Sequence, residues 1–254
     1  MRITDEDGYR TVTFDRPNVM NAMNLEVATE LADAVAGADP VEHDAVVITG
    51  EDPAFSAGGD IQAMKEREEG PREAYERVAE TFNRAAAEML NCDVPIVAKI
   101  NGDCVGAGLA LVAASDFAYT VPEATFSCAF IRVGLIPDTA ATFTLPRLVG
   151  LRTAKRLTLT GEFFDGEEAA EMGLVNDAVP ATELDDRVDE LLDVLSRRPT
   201  RTIGMTKQAI HENLDNDWRK ALDYENMMQV QAYMSDEHEE GVNAFLEGRN
   251  ADWD

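Results

Sequence analysis

The stretch Ile96-Val97-Ala98-Lys99-Ile100-Asn101-Gly102-Asp103-Cys104-Val105-Gly106-Ala107-Gly108-Leu109-Ala110-Leu111 constrains this chain more than any other. An apolar run, a glycine-rich turn and a second apolar run read as a buried strand, a tight turn and the first turn of a buried helix. Three glycines in seven residues, from Gly102 to Gly108, let another backbone or a ligand come close. The helix after the turn aims unpaired N–H groups and the positive end of its dipole into that space. Such a turn suits a phosphate, a carboxylate or a negative charge that forms during a reaction.

The phosphate readings are weak. Gly106-Ala107-Gly108 is followed by Leu109-Ala110-Leu111, so the third glycine of a dinucleotide fingerprint is missing, and no Gly-Lys-Ser/Thr is present for a P-loop. No metal site is expected: His43, His211 and His238 are scattered and read as surface residues. Cys92, Cys104 and Cys128 lack metal-type spacing and read as reduced, buried thiols, Cys104 included. Ser56 lacks the glycine two residues earlier that a nucleophile elbow needs.

A length of 254 residues allows one large core, or a main domain with an appendage. Against 22 Lys and Arg stand 49 Asp and Glu, a net charge of −27. So acidic a coat repels nucleic acid and anionic membranes, and it looks like the surface of a protein from a salty cytoplasm. No run approaches the ~18 apolar residues of a membrane span, and Met1 leads into no signal-peptide pattern. The expected location is the cytoplasm.

Along the chain, strands are expected at Tyr9–Phe14, Ala45–Thr49, Asp116–Thr120, Ala124–Ser127 and Leu174–Val179. Asn24 should cap a helix running to about Ala36, and Ile61–Lys65 is expected to be a short helix. Pro71 should begin one long helix through Leu90. Gly50–Gly59 reads as loop, and Cys128–Asp138 as irregular. Helices are expected at Thr139–Val149, Arg152–Thr158 and Gly166–Met172, with Asp138 able to cap the first of them. From Ala181 the chain reads as almost all helix, with Met227, Met228, Val230, Tyr233 and Met234 suited either to packing on the main domain or to a subunit interface. Strands alternating with helices before this tail make the class α/β.

Two glycine-containing loops each follow an apolar strand: Ala57-Gly58-Gly59-Asp60 and Gly106-Ala107-Gly108. If they converge, each offers one backbone N–H to a single oxygen, the geometry of an oxyanion hole.

Four segments in order carry a family resemblance. Arg16-Pro17-Asn18-Val19-Met20-Asn21-Ala22-Met23-Asn24 resembles the early motif of the crotonase (enoyl-CoA hydratase/isomerase) superfamily, and Ala54 to Ile61 its first oxyanion loop. Pro95 to Asp116 resembles its second loop and helix, and Val133 to Asp138 with Leu145 to Gly150 the segment that follows. The resemblance implies a crotonase-like spiral of β-β-α units, with an acyl-CoA-binding core over residues 1–195 and a helical trimerisation region over residues 196–254. It implies an acyl-CoA thioester as partner, coenzyme A arriving as part of the substrate with no separate cofactor, and a homotrimer or dimer of trimers. By motif position, the N–H groups of Gly59 and Ala107 would hold the thioester oxygen. Ala22, Ala57, Gly58, Asp60, Ile61, Gly106, Gly108, Phe130, Leu135 and Pro137 would line the substrate site.

Hydratases of this family carry two glutamates, and those positions here hold Ala110 and Phe130. Asp138 instead matches an aspartate found in some isomerase branches. One carboxylate suffices to move a proton between two carbons, whereas adding water usually takes two groups. Phe130, Leu135 and Ile136 are expected to wall Asp138 and raise its proton affinity. The leading expectation is therefore an acyl-CoA isomerase that shifts a double bond through a thioester enolate. A hydratase and a non-catalytic acyl-CoA-binding subunit are the alternatives.

Overall fold

The computed structural model describes residues 1–253. In chain order the elements are β1 (Arg2–Glu6), β2 (Tyr9–Phe14), α1 (Leu25–Ala36), β3 (Ala45–Gly50), β4 (Ala54–Ser56), α2 (Ile61–Lys65), α3 (Pro71–Glu80) and α4 (Phe82–Asn91). They continue as β5 (Ile96–Ile100), β6 (Asp103–Val105), α5 (Ala107–Ala114), β7 (Phe117–Thr120), β8 (Phe126–Ser127), α6 (Ala141–Leu148), α7 (Gly150–Thr160), α8 (Gly166–Glu171) and β9 (Asp177–Ala178). The tail holds α9 (Leu184–Leu195), α10 (Thr200–Asn213), α11 (Trp218–Tyr233) and α12 (Asp236–Glu247).

Two sheets organise the chain. The larger has the order β1-β2-β3-β5-β7-β9 and the smaller β4-β6-β8. Among the named strands only β1 and β2 pair antiparallel; β3 runs parallel to β5 from Val46 opposite Ile96, and β5 parallel to β7 from Val97 opposite Phe117. Each turn of the chain adds a strand to the larger sheet, a short strand to the smaller one, and then helix. The result is a spiral of strand–strand–helix units in register, not an alternation of single strands and helices. Parallel strands need both faces covered, and β3 is accordingly an apolar run buried from Ala45 through Thr49.

Local chemistry explains most boundaries. The Asn24 side chain accepts from the Val27 N–H, and α1 then buries Val27, Ala28, Leu31, Ala32 and Val35 at helical spacing. Every residue of α5 is buried, so the helix sits inside the molecule. The buried Lys207 of α10 ties the tail to the core, donating to the Asp116 carboxylate at 2.7 Å and the Met89 carbonyl at 2.8 Å.

Several expectations need correction. The Pro71–Leu90 helix is two helices, broken where Thr81 takes φ −121° and ψ −94° and its hydroxyl donates back to the Arg77 carbonyl at 2.7 Å. Gly50–Gly59 is not all loop, because it contains β4; the turn after Ile100 likewise contains β6. Leu174 and Val175 are buried in a turn, leaving only Asp177–Ala178 as strand. His43 is no surface residue: it is 3% exposed, its Nδ1 facing the backbone of Asp39 and its Nε2 3.4 Å from Asp5. His211 is partly buried, with Nδ1 2.9 Å from the Leu90 carbonyl oxygen. Among the described residues, no helix is long and apolar enough to cross a membrane.

Candidate active site

The smaller sheet places the site. Its strands are parallel neighbours, with Ser56 opposite Cys104 and Val105 opposite Ser127. Three segments therefore leave the same edge side by side: Ala57–Asp60 after β4, Gly106–Gly108 after β6, and the Phe130–Asp138 segment after β8. The Gly106 N–H donates to the Ser127 carbonyl at 2.8 Å, which fixes the second loop to the third segment.

The first two loops touch. Gly58 has φ +86°, and a Cβ there would lie 2.6 Å from the Val105 carbonyl oxygen and 3.2 Å from the Ala107 nitrogen. A Cβ on Gly108 would lie 2.8 Å from the Ser56 carbonyl oxygen. Only glycine permits both approaches.

Backbone pairing sets the direction of the donors. Residues 20–23 run beside the first loop: Ala57 N–H donates to the Met20 carbonyl at 2.8 Å, Met23 N–H to the Gly58 carbonyl at 2.7 Å, and Asp60 N–H to the Met23 carbonyl at 2.9 Å. In the resulting parallel bridge between Met23 and Gly59, the groups flanking Gly59 face Met23. The Gly59 N–H therefore faces away, and it has no partner among the described residues. The Ala107 N–H opens α5 and is likewise without a partner among the described residues.

Side chains brace this loop. Arg16 donates to the Asp60 carboxylate at 3.0 Å and to the Ala22 carbonyl at 2.5 Å. The Ala63 N–H, capped by Asp60, holds that carboxyl below its ordinary value, with Arg16 adding to the effect. The fully buried Ser56 hydroxyl donates to the Asn21 carbonyl at 2.9 Å and accepts from the Gly58 N–H at 3.2 Å. Its role is structural, and no histidine serves it. Cys104 is wholly buried, and burial pushes its thiol far up, so no thiolate forms there; Cys128 is pushed up to about 12 by burial.

Asp138 is half-buried. Desolvation raises its carboxyl above the usual range, against the opposing pull of a hydrogen bond from Thr139, its own backbone N–H and the charge of Arg77. Thr139 Oγ1 donates to Asp138 Oδ1 at 2.9 Å. Arg77 acts electrostatically on both Asp138 and Arg67, and Arg67 in turn feels Asp60.

Of the expected site residues, Ala22, Ala57, Gly58, Gly59, Asp60, Gly106, Ala107 and Gly108 come together at the touching loops, with Ile61 opening α2 just beyond them. Phe130 is buried and Pro137 partly so. Leu135 and Ile136 are not walls of Asp138: they are 44% and 80% exposed and face solvent. Nor does Asp138 cap a helix, because Thr139 and Ala140 are left-handed and α6 starts only at Ala141. Ala110 and Phe130 are both buried and apolar. The sequence reading missed Asn83, Arg77 and Thr139 around Asp138. Its signal would have been a polar side chain on α4, but nothing local says that Asn83 meets residue 139.

Two clefts lie elsewhere. One of 510 Å³ opens between the C-terminal end of α5, α6 and α10, and one of 380 Å³ between α10 and α11. Neither includes Gly59, Ala107 or Asp138, so concavity alone would have pointed away from the paired donors. Among the described residues, no group of three or more His, Cys, Asp or Glu side chains is arranged to hold a metal ion.

Residues 4–254 match the family described as enoyl-CoA hydratase/isomerase. Over 254 residues the chain is 35% identical to a probable enoyl-CoA hydratase of Rhodobacter capsulatus, covering 98% of this chain and 95% of that one. It is 32% identical over 250 residues to 1,2-epoxyphenylacetyl-CoA isomerase of Escherichia coli, covering 96% and 94%. Among solved structures, enoyl-CoA hydratase of Mycobacterium smegmatis superposes with a TM-score of 0.88 at 30% identity, over 98% of this chain and 96% of that one.

Proposed function

This chain belongs to the enoyl-CoA hydratase/isomerase family of acyl-CoA enzymes, and we propose that within it the protein is an isomerase that shifts a double bond in an enoyl-CoA. The observations that carry the reading are the half-buried Asp138, whose carboxyl desolvation raises above its ordinary value, and the buried, apolar Ala110 and Phe130 at the two positions where the family's hydratases carry glutamates.

The chemistry follows from three groups. The thioester oxygen sits between the N–H groups of Gly59 and Ala107, at the N-terminus of α5. Asp138 takes a proton from C2 of a 3-enoyl chain, and the electron pair spreads onto that oxygen as an enolate. The two donors and the helix dipole stabilise the charge as it forms. The protonated Asp138 then returns the proton to C4, leaving the 2-enoyl thioester and a carboxylate ready for another turn. A raised proton affinity brings base and carbon acid closer in strength, which eases both transfers. Ala22, Ala57, Gly58, Asp60, Ile61, Gly106, Gly108, Phe130 and Pro137 surround the substrate. Coenzyme A comes with the acyl group, and no further cofactor takes part.

The relative named as a hydratase supports a second reading, in which water adds to the 2-enoyl chain. A paired assay separates the two: 3-enoyl-CoA and 2-enoyl-CoA are each supplied in concentrated salt, and migration and hydration are followed. Double-bond migration that vanishes in Asp138→Asn supports the isomerase. Water addition alone, or full migration rate in Asp138→Asn, removes it. Tight thioester binding with no turnover favours a non-catalytic acyl-CoA-binding subunit.

Assembly as a homotrimer or a dimer of trimers belongs to the same proposal. Its support is the tail: α11 buries none of its residues, and Trp218, Met227, Val230 and Tyr233 stand exposed along it. A salt-rich cytoplasm is the setting that the charge of −27 fits.

A further inference from the structure

Asp138 stands before an unusual piece of backbone. Thr139 and Ala140 both take positive φ, at 55° and 62°. Left-handed backbone is disfavoured for any residue with a side chain, and most of all for a β-branched one such as Thr139. Such a conformation persists only where its surroundings enforce it. Here they do. Thr139 is fully buried, and its N–H donates at 3.0 Å to Asn83 Oδ1, on the first turn of α4. The break at Thr81 starts that turn afresh. Held in this way, the Thr139 hydroxyl donates at 2.9 Å to Asp138 Oδ1.

We propose that Thr139, clamped by Asn83, is a positioning residue for Asp138: the left-handed turn carries the Thr139 hydroxyl back onto the Asp138 carboxylate and fixes the direction in which that carboxylate meets the acyl chain. This rests on the reading of Asp138 as the base. The hydrogen bond also has a chemical effect. A donor to the carboxylate favours its charged form and so opposes desolvation. Among the described residues, the other charge acting on Asp138 is Arg77 of α3, and that guanidinium is itself bound by Glu69 at 2.5 to 3.0 Å. The Thr139 hydroxyl is therefore the nearest control on how readily Asp138 gives up and takes its proton.

The test uses the full chain with Thr139→Val, which keeps β-branching and backbone angle and removes only the hydroxyl. The pH profile of kcat/KM for a 3-enoyl-CoA is read beside the titration of the Asp138 carboxyl by NMR. In Thr139→Val the acidic limb of the profile and the NMR titration both move to higher pH, with KM unchanged. Thr139→Ser, which keeps the hydroxyl, returns both toward wild type. Asn83→Leu lowers kcat about tenfold or more at constant KM, because the clamp on the left-handed turn is lost. Should Thr139→Val fail to fold, Thr139→Ala is read by the same titration. An unmoved titration and limb, with Asp138→Asn inactive, overturns this proposal and leaves Asp138 as the base. Full migration rate in Asp138→Asn overturns the reading of the base and the proposal with it.

Discussion

Replacing Gly58 by alanine tests whether two touching loops form the oxyanion site. The new methyl would lie 2.6 Å from the Val105 carbonyl oxygen and 3.2 Å from the Ala107 nitrogen. Ordinary non-bonded contact needs roughly 0.5–1 Å more. Both neighbours are backbone, so the loops themselves must part. Parting them moves Gly59 N–H relative to Ala107 N–H by a similar distance, and a misplacement of that size costs about a hundredfold in kcat. Gly58 also has φ +86°, where a side chain adds about 1 kcal/mol of strain, roughly 2–4 °C in Tm for a chain of this size. Gly150 supplies the control: its φ is +75°, and a Cβ there meets nothing within 4 Å. Gly150→Ala should lose similar Tm yet keep full kcat. The assay is steady-state turnover of a 3-enoyl-CoA with Tm measured on the same samples. Equal kcat in Gly58→Ala and Gly150→Ala would refute the reasoning, since crowding at the donors would then have no effect on the chemistry.

Three more outcomes are expected. Lys207→Met leaves the Asp116 carboxylate largely buried with, among the described residues, only the Ile96 N–H as a protein donor, and should cost roughly 3 kcal/mol in urea unfolding; a loss below about 1 kcal/mol contradicts this. Asp138 binds its proton more tightly folded than unfolded, so its contribution to stability is present at acid pH and is lost as pH rises from the ordinary carboxylate range through its raised value. Asp138→Asn should then raise Tm at neutral pH, the gain vanishing below the ordinary carboxylate range, and equal Tm values at pH 7 argue against it. With a net charge of −27, Tm should climb as NaCl rises from about 0.1 to about 2 M, because salt shortens the reach of the repulsion; a flat Tm contradicts that.

Sequence reading located the parts of the fold that rest on local chemistry. The Asn24 cap, the α1 stripe and the β3 and β5 runs each carry their own signal, since spacing or apolar content over five or more residues is visible in the chain. In the smaller sheet only β8 was expected, inside the longer Ala124–Ser127, while β4 and β6 were not. Three residues each at β4 and β6 are too few for periodicity, and they become strands only by pairing with one another and with β8. β1 is exposed along its whole length, so no apolar face announces it and only its antiparallel partner makes it a strand. Thr81 breaks a helix with neither glycine nor proline to mark the place.

The candidate site divides in the same way between what local pattern marks and what it does not. Glycine spacing marked both loops, because close approach of two backbones demands glycine at Gly58 and Gly108. The environment of Asp138 was not legible. Neighbours in sequence, Leu135 and Ile136, were expected to bury it, yet they face solvent, while Asn83 and Arg77 arrive from helices more than fifty residues earlier. Such contacts depend on how the chain returns on itself, which no local pattern records.

A crystal structure with an unreactive acyl-CoA analogue bound tests the central claim most directly. The thioester oxygen should lie about 2.7–3.2 Å from both the Gly59 and the Ala107 nitrogens, with C2 of the acyl chain facing the Asp138 carboxylate. An oxygen that meets neither nitrogen, or an acyl chain directed away from Asp138, contradicts it.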